Sequence, residues 1–110
     1  MDSNVATHDT IFKALADPTR RAIFERLCRG GEQTVGALTT QAGISQPAVS
    51  KHLAALKQAG LVHDRHQGRQ THYSASAAAL APLIDWTTQM TAFWESRFND
   101  LESLLKRMDQ

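Results

Sequence analysis

Gln46, Ser50 and Lys51 fall within six consecutive residues and offer a primary amide, a hydroxyl and an ammonium. On successive turns of a helix those groups suit the edges of base pairs in a major groove. A glutamine can pair with adenine through two hydrogen bonds, a lysine can donate to guanine or to a phosphate, and a serine can do either. Ser45 and Pro47 stand at the head of the same segment, where unpaired backbone N–H groups of a helix N-terminus favour a phosphate. His52 reads in two ways, as a phosphate donor or as a half-buried packing histidine. Arg65 and Arg69 follow, as guanidinium donors to a polyanion or as solubilising charges. Taken singly, each of these residues is an ordinary surface residue, so their arrangement has to carry the argument.

That arrangement comes from the elements around them. Asp17-Pro18 ends one short helical segment, with Ile11, Phe12, Leu15 and Ala16 on its apolar face, and starts another with Ile23, Phe24 and Leu27 inward. Aspartate is a good N-cap and proline is tolerated at the first helical position. Gly30-Gly31 stops the second segment. Thr34 can cap a third helix with Val35, Leu38 and Ala42 inward, and is a further candidate DNA-binding residue. Gly43 permits a sharp turn, and Ser45 then caps a helix running to Ala59. There Val49, Leu53 and Leu56 recur at helical spacing, leaving Gln46, Pro47, Ser50, Lys51 and Ala54 outward. A Gly-containing turn between a short helix and a capped second one is the helix-turn-helix pattern.

After Gly60 the period changes. Leu61 to His66 and Arg69 to Ser74 read as two strands around Gln67-Gly68, a short hairpin signal. That register sets His63 opposite His72, although two imidazoles fall short of a typical metal site. From Pro82 the helical period returns, with Met90, Trp94, Leu101, Leu105 and Met108 on one broad stripe beside Phe93, Phe98 and Leu104. The expectation is one mostly α domain over 1–110 with a small β-hairpin wing. The helix-turn-helix takes about 34–59, the wing 61–74 and a C-terminal helix 82–108.

Composition narrows the function classes. The chain has 110 residues, 42% of them apolar, and a net charge of +1. From Ile44 to Tyr73 lie four bases (Lys51, Lys57, Arg65, Arg69) against one acid, Asp64, with four of the five histidines. From Asp85 onward five acids face three bases. A basic middle suits a polyanion and a mildly acidic tail does not. No apolar run approaches the roughly 20 residues that cross a bilayer, and Met1–His8 lacks a leader pattern, so a cytoplasmic location is expected. Cys28, the single cysteine, reads as a small core residue following Leu27. No P-loop, nucleophile motif or His/carboxylate cluster at ligand spacing points to an enzyme, so neither catalytic residues nor a cofactor or metal are expected. The competing class is a dimeric winged helix that docks a protein and leaves DNA alone. Such a surface would carry more apolar and aromatic residues on its outward helix face.

Three segments, IFKALADPTRRAIFERL from Ile11, SQPAVSKHLAALKQAGLV from Ser45 and GRQTHYS from Gly68, resemble the ArsR-type winged helix family of transcriptional repressors. The resemblance runs from about Thr10 to beyond Phe98. The tail, with Trp86, Phe93, Trp94, Arg97 and Leu101, is similar to a branch of that family that lacks metal sites and often represses a neighbouring operon or itself. The resemblance implies a homodimer that binds a double-stranded, inverted-repeat operator. It implies pairing through the first and last helices, which assigns Ile11, Phe12, Met90, Trp94, Phe98, Leu101 and Leu105 to the interface. Metal-sensing members carry a cysteine pair in the first helix of the DNA-binding motif, whereas Thr34–Thr40 holds none. Members with zinc between their last helices use Asp and His; Asp85 is present, but no histidine follows it. Thiol sensors use two cysteines. No usual sensory site is carried over, and the sequence specifies no effector.

Overall fold

The computed structural model describes residues 3–109, with side chains from His8 onward. Two compact units are present, one ending at Leu80 and the other beginning at Ala81.

The first unit begins with helix α1, Ser3–Ala16. It must stop at Asp17, because Pro18 disfavours helical backbone in the residue before it. Asp17 is extended (φ −74°, ψ 119°), and its Oδ1 accepts from the Arg20 N–H at 2.9 Å, capping α2, Pro18–Gly30. A two-residue strand, β1 (Gln33–Thr34), then leads into α3, Val35–Ala42, whose cap is the Thr34 hydroxyl accepting from the Ala37 N–H at 3.1 Å. Gly43 turns the chain at φ 68°, a left-handed conformation that a Cβ would strain. Helix α4, Gln46–Gln58, follows, capped by Ser45 Oγ accepting from the Ala48 N–H at 3.3 Å. It ends in a Schellman pattern: the Leu61 N–H donates to the Leu56 carbonyl and the Gly60 N–H to the Lys57 carbonyl, both at 2.9 Å. That closure delivers Leu61 and Val62 straight into the core.

Strands β2 (Val62–Gln67) and β3 (Gln70–Ala75) form the wing, and β1 adds to the other side of β3 to make the order β1-β3-β2. A short 3₁₀ turn, Ala77–Leu80, ends the unit. The core is built from most of the inward residues expected of the sequence, although Val35 and Ala42 are only half-buried and Ala16 is exposed. Ile23, Phe24 and Leu27 of α2, Leu38 of α3 and Val49, Leu53 and Leu56 of α4 are all buried, joined by Ile11, Ala14, Leu61 and Val62. Full burial of each large side chain stabilises the fold by about 1.5–3 kcal/mol before cavity effects. The second unit is a single helix, α5, Ala81–Met108, none of whose described residues is buried.

Four expectations need correction. The hairpin turns on Gly68-Arg69, because Gln67 pairs with Gln70. Gly68 has φ 63°, which suits the first central position of a two-residue II′ turn. The pairing therefore slides by two residues: His63 faces Ser74 and Arg65 faces His72, so the His63–His72 pair does not form. The slide also leaves Arg69 in the turn itself. Cys28 is exposed. The buried face of α2 centres between Ile23, Phe24 and Leu27, and at about 100° per residue Cys28 lies roughly a quarter-turn away from it. Ile11 belongs to the subunit's own core, at 2% exposure, so among the described residues of α1 Phe12, at 43%, is the large apolar side chain left outside. Finally, the sheet has a third strand, Gln33–Thr34, that no alternation over two residues can announce.

Candidate nucleic-acid interface

Val49, Leu53 and Leu56 anchor α4 with no exposure at all. Burying that face turns Gln46, Pro47, Ser50, Lys51 and Ala54 outward, and all five are exposed. Ser45, exposed as well, serves as the cap, so its hydroxyl is engaged with the helix's own backbone. The outward face combines an amide, a hydroxyl and an ammonium, and α4 contains no acid. A recess of about 220 Å³ joins this helix to its neighbours, lined by Thr34, Val35 and Gly36 at the start of α3, Gln46 at the start of α4, and Arg69, Gln70 and Thr71 of the wing. The N-terminal ends of two helices and the wing tip thus border one concavity. Backbone N–H groups at such ends favour anions.

His52 is half-buried, and its Nδ1 accepts from Arg20 Nε at 3.4 Å. With Nδ1 accepting, a neutral ring carries its hydrogen on Nε2. Both readings of His52 therefore have a basis: the ring packs on Arg20, and one donor remains. Asp17 lies in the same neighbourhood. Its carboxyl is held below the ordinary range, chiefly by the Arg20 N–H that it caps, with the charges of His52 and Arg20 adding to the effect. The segments Asp17–Arg20 and Ser45–Leu53, far apart in sequence, meet here.

The charges are less free than the sequence suggests. Lys57 Nζ lies 3.0 Å from Asp64 Oδ2. Arg65 grips Glu32 with Nη2 at 2.6 Å and Nε at 3.0 Å, while its Nη1 donates to Gln67 at 2.8 Å. These contacts push the Asp64 and Glu32 carboxyls below their ordinary range, through hydrogen bonds from Lys57 and Arg65 respectively, and raise Arg65 above its own. Exposed pairs of this kind contribute little to stability, but they decide which cations are available. Lys51 and Arg69 make no ion pair or side-chain hydrogen bond among the described residues. Of the four bases between Ile44 and Tyr73, the two left unmatched therefore sit on the outward face of α4 and at the wing tip. Sequence reasoning missed Glu32, which lies outside the basic stretch and 33 positions before Arg65. No local pattern links the two.

A family model described as a helix-turn-helix domain matches residues 15–65. The chain is 39% identical over 93 residues to the transcriptional repressor SdpR of Bacillus subtilis (strain 168), covering 84% of this chain and 99% of that protein. It is 47% identical over 78 residues to the arsenical resistance operon repressor of Escherichia coli (strain K12), covering 68% and 67% respectively. The chain belongs to the ArsR family of winged helix-turn-helix regulators. An ArsR-like transcriptional regulator from Rhodococcus sp. RHA1 superposes with a TM-score of 0.80 at 31% identity, covering 94% of this chain and 96% of that one. As an ArsR-family member the protein is a DNA-binding transcriptional regulator, and α4 is the second helix of its helix-turn-helix.

Among the described residues of this ArsR-family regulator, no group of three His, Cys, Asp or Glu side chains could hold a metal ion. Although Cys28 is exposed, partial desolvation pushes its thiol above the ordinary range, with the Glu25 charge adding to the rise; that favours the less reactive thiol form. No helix among the described residues is long and apolar enough to cross a membrane. Helix α5 carries a row of exposed apolar side chains: Phe93 at 63%, Trp94 at 66%, Phe98 at 62%, and Leu101 and Leu105 at 51% each. Met90 is half-buried, and the Trp94 and Phe98 rings lie 6.3 Å apart.

Proposed function

We propose that the protein is a homodimeric repressor that binds an inverted-repeat operator and acts in the cytoplasm, without catalysis and without a metal. The observation that carries the reading is the outward face of α4, where Gln46, Ser50 and Lys51 stand exposed and free of acids beside Arg69. Gln46 and Ser50 read base edges, while Lys51 and Arg69 meet bases or phosphates. Thr34, Ser45 and Pro47 shape the two helix ends that face the backbone, and His52 keeps Nε2 for a phosphate. An interaction module would present large apolar or aromatic side chains on this face, and α4 turns only Pro47 and Ala54 outward among its apolar residues.

Helix α5 supplies the reason for two copies. Exposed contiguous apolar surface on this scale marks an interaction site, and a two-fold operator asks for a two-fold protein. Trp94, Phe98, Leu101 and Leu105, with Met90, form the surface that α5 offers to a second copy, and Phe12 is the contact that α1 offers. Ile11 supports Phe12 from the core. Two recognition helices held roughly 34–36 Å apart then reach successive major grooves.

Selection of bound fragments from genomic DNA, followed by sedimentation, tests both halves. The expected result is enrichment of an inverted repeat and a dimer at micromolar concentration. Trp94→Ala with Leu101→Ala shifts the protein toward monomer and abolishes operator binding. A wild-type chain that sediments as a monomer refutes the dimer. Enrichment of no sequence refutes the operator reading and returns the protein-docking alternative.

A further inference from the structure

We propose that Arg65 is a positioning residue rather than a DNA contact: with Glu32 it forms a strap that fixes the wing against the start of the helix-turn-helix, leaving Arg69 to meet the phosphate. This assignment rests on the DNA-binding face proposed above.

The geometry of the guanidinium carries the argument. Of its five N–H donors, Nε and one Nη2 hydrogen go to the two carboxylate oxygens of Glu32, at 3.0 and 2.6 Å, and one Nη1 hydrogen goes to Gln67 at 2.8 Å. The Nε–Nη2 fork, a two-donor edge of the kind that grips a phosphate, is already closed on a carboxylate. Topology adds the second argument. Glu32 immediately precedes β1, which pairs with β3 through Thr34↔His72, and His72 in turn pairs with Arg65 of β2. Glu32 therefore reaches across the middle strand to the far one, and its Oε1 also lies 3.7 Å from His72 Nδ1. One carboxylate ties all three strands together. At one end of the strap, Glu32 stands two residues before Thr34, the cap of α3. At the other, Arg65 stands three residues before Gly68 of the turn that carries Arg69. Beyond the Thr34↔His72 pair the hairpin continues as two strands alone, which are marginal by themselves, so a tie at that level sets where the tip lies relative to α3 and α4.

A charge swap separates a strap from a direct phosphate donor. Operator affinity is measured across a salt series for wild type, Glu32→Ala, Arg65→Ala, Arg65→Lys, Arg69→Ala and the double variant Glu32→Arg with Arg65→Glu, with thermal unfolding as the folding check. Glu32→Ala and Arg65→Ala should each weaken binding about three- to tenfold, in the lower part of the range of coupling between touching side chains. Their salt slopes should match that of wild type. Arg69→Ala should lower the slope by about 0.9 for each phosphate that the guanidinium no longer neutralises. Arg65→Lys keeps the charge but loses the fork, and should behave like Arg65→Ala. The swap should recover affinity to within about twofold of wild type, although it sets a carboxylate on the wing. A swap that stays weak while Arg65→Ala lowers the slope like Arg69→Ala overturns the proposal, because Arg65 then touches phosphate. Wild-type affinity in both Glu32→Ala and Arg65→Ala overturns it as well. Amide hydrogen exchange over 62–75 in free protein gives a reading without DNA: faster in Glu32→Ala and restored in the swap if the strap exists, unchanged in both if it does not. That measurement decides the strap even if the operator reading fails.

Discussion

Lys51 and Lys57 sit on the same helix, less than two turns apart, and the structure gives them opposite roles. Lys51 projects from the outward face with no partner among the described residues. Lys57 is held 3.0 Å from Asp64, whose side chain is only 18% exposed. A lysine that neutralises a phosphate releases counterions, and each such contact adds about 0.9 to the slope of log affinity against log salt. Between 50 and 200 mM salt that slope amounts to a factor of about 3.5 per contact. In a two-fold dimer every substitution is made twice, so Lys51→Ala should flatten the slope by about 1.8. Its affinity deficit relative to wild type should accordingly shrink about twelvefold over that range. Lys57→Ala should leave the slope nearly unchanged, because its charge is already matched by Asp64. The assay is fluorescence anisotropy of a labelled operator at three or four salt concentrations, with each variant's unfolding midpoint checked first. Equal slope changes for the two variants, or a larger one for Lys57→Ala, would show that the DNA face does not lie where α4 turns outward.

Two further outcomes concern stability. Leu53→Ala removes a fully buried side chain and should cost about 2–5 kcal/mol in urea unfolding; a loss under about 1 kcal/mol would mean that α4 is not anchored as described. Asp17→Asn keeps a good N-cap but deletes the charge. Because the folded-state pKa of Asp17 lies below its ordinary value, the charge stabilises the fold above the ordinary aspartate value of about 3.9 and loses its effect as pH falls through the depressed one. Wild type should therefore be the more stable at pH 7, with the gap closing in acid; a gap that stays constant down to pH 2 would refute the link.

Much of this was legible in the sequence because it is local. The caps Asp17, Thr34 and Ser45 each act on an N–H three residues ahead, and the inward rows of α2 and α4 repeat with the helix itself. Outward residues follow by subtraction, so helical periodicity alone yields the candidate face of α4. The hairpin shows where local reading stops. Gln67-Gly68 and Gly68-Arg69 are both admissible two-residue turns around the same glycine. Choosing between them slides every cross-strand pair by two residues but keeps each side chain on its face. Apolar and polar alternation is blind to such a slide. Only the partners change, and with them the difference between a His63–His72 pair and an Arg65–His72 pair.

Cys28 failed for a related reason. A position one turn beyond Phe24 is inward only if the buried stripe is wide on that side, and the stripe of α2 leans the other way, toward Ile23 and Leu27. Ile11 and Phe12 are neighbours that point to different places, and only packing reveals which one the core takes. Charge is the least legible of all. Four bases against one acid over Ile44–Tyr73 describes composition, but the field that DNA meets depends on which bases are already matched. Asp64 takes Lys57 from within the stretch, and Glu32 takes Arg65 from outside it. The cations left over, Lys51 and Arg69, are those that the fold sets on the outward face of α4 and at the wing tip. A charge count over a segment bounds the affinity for a polyanion, while the pairing decides where the polyanion sits.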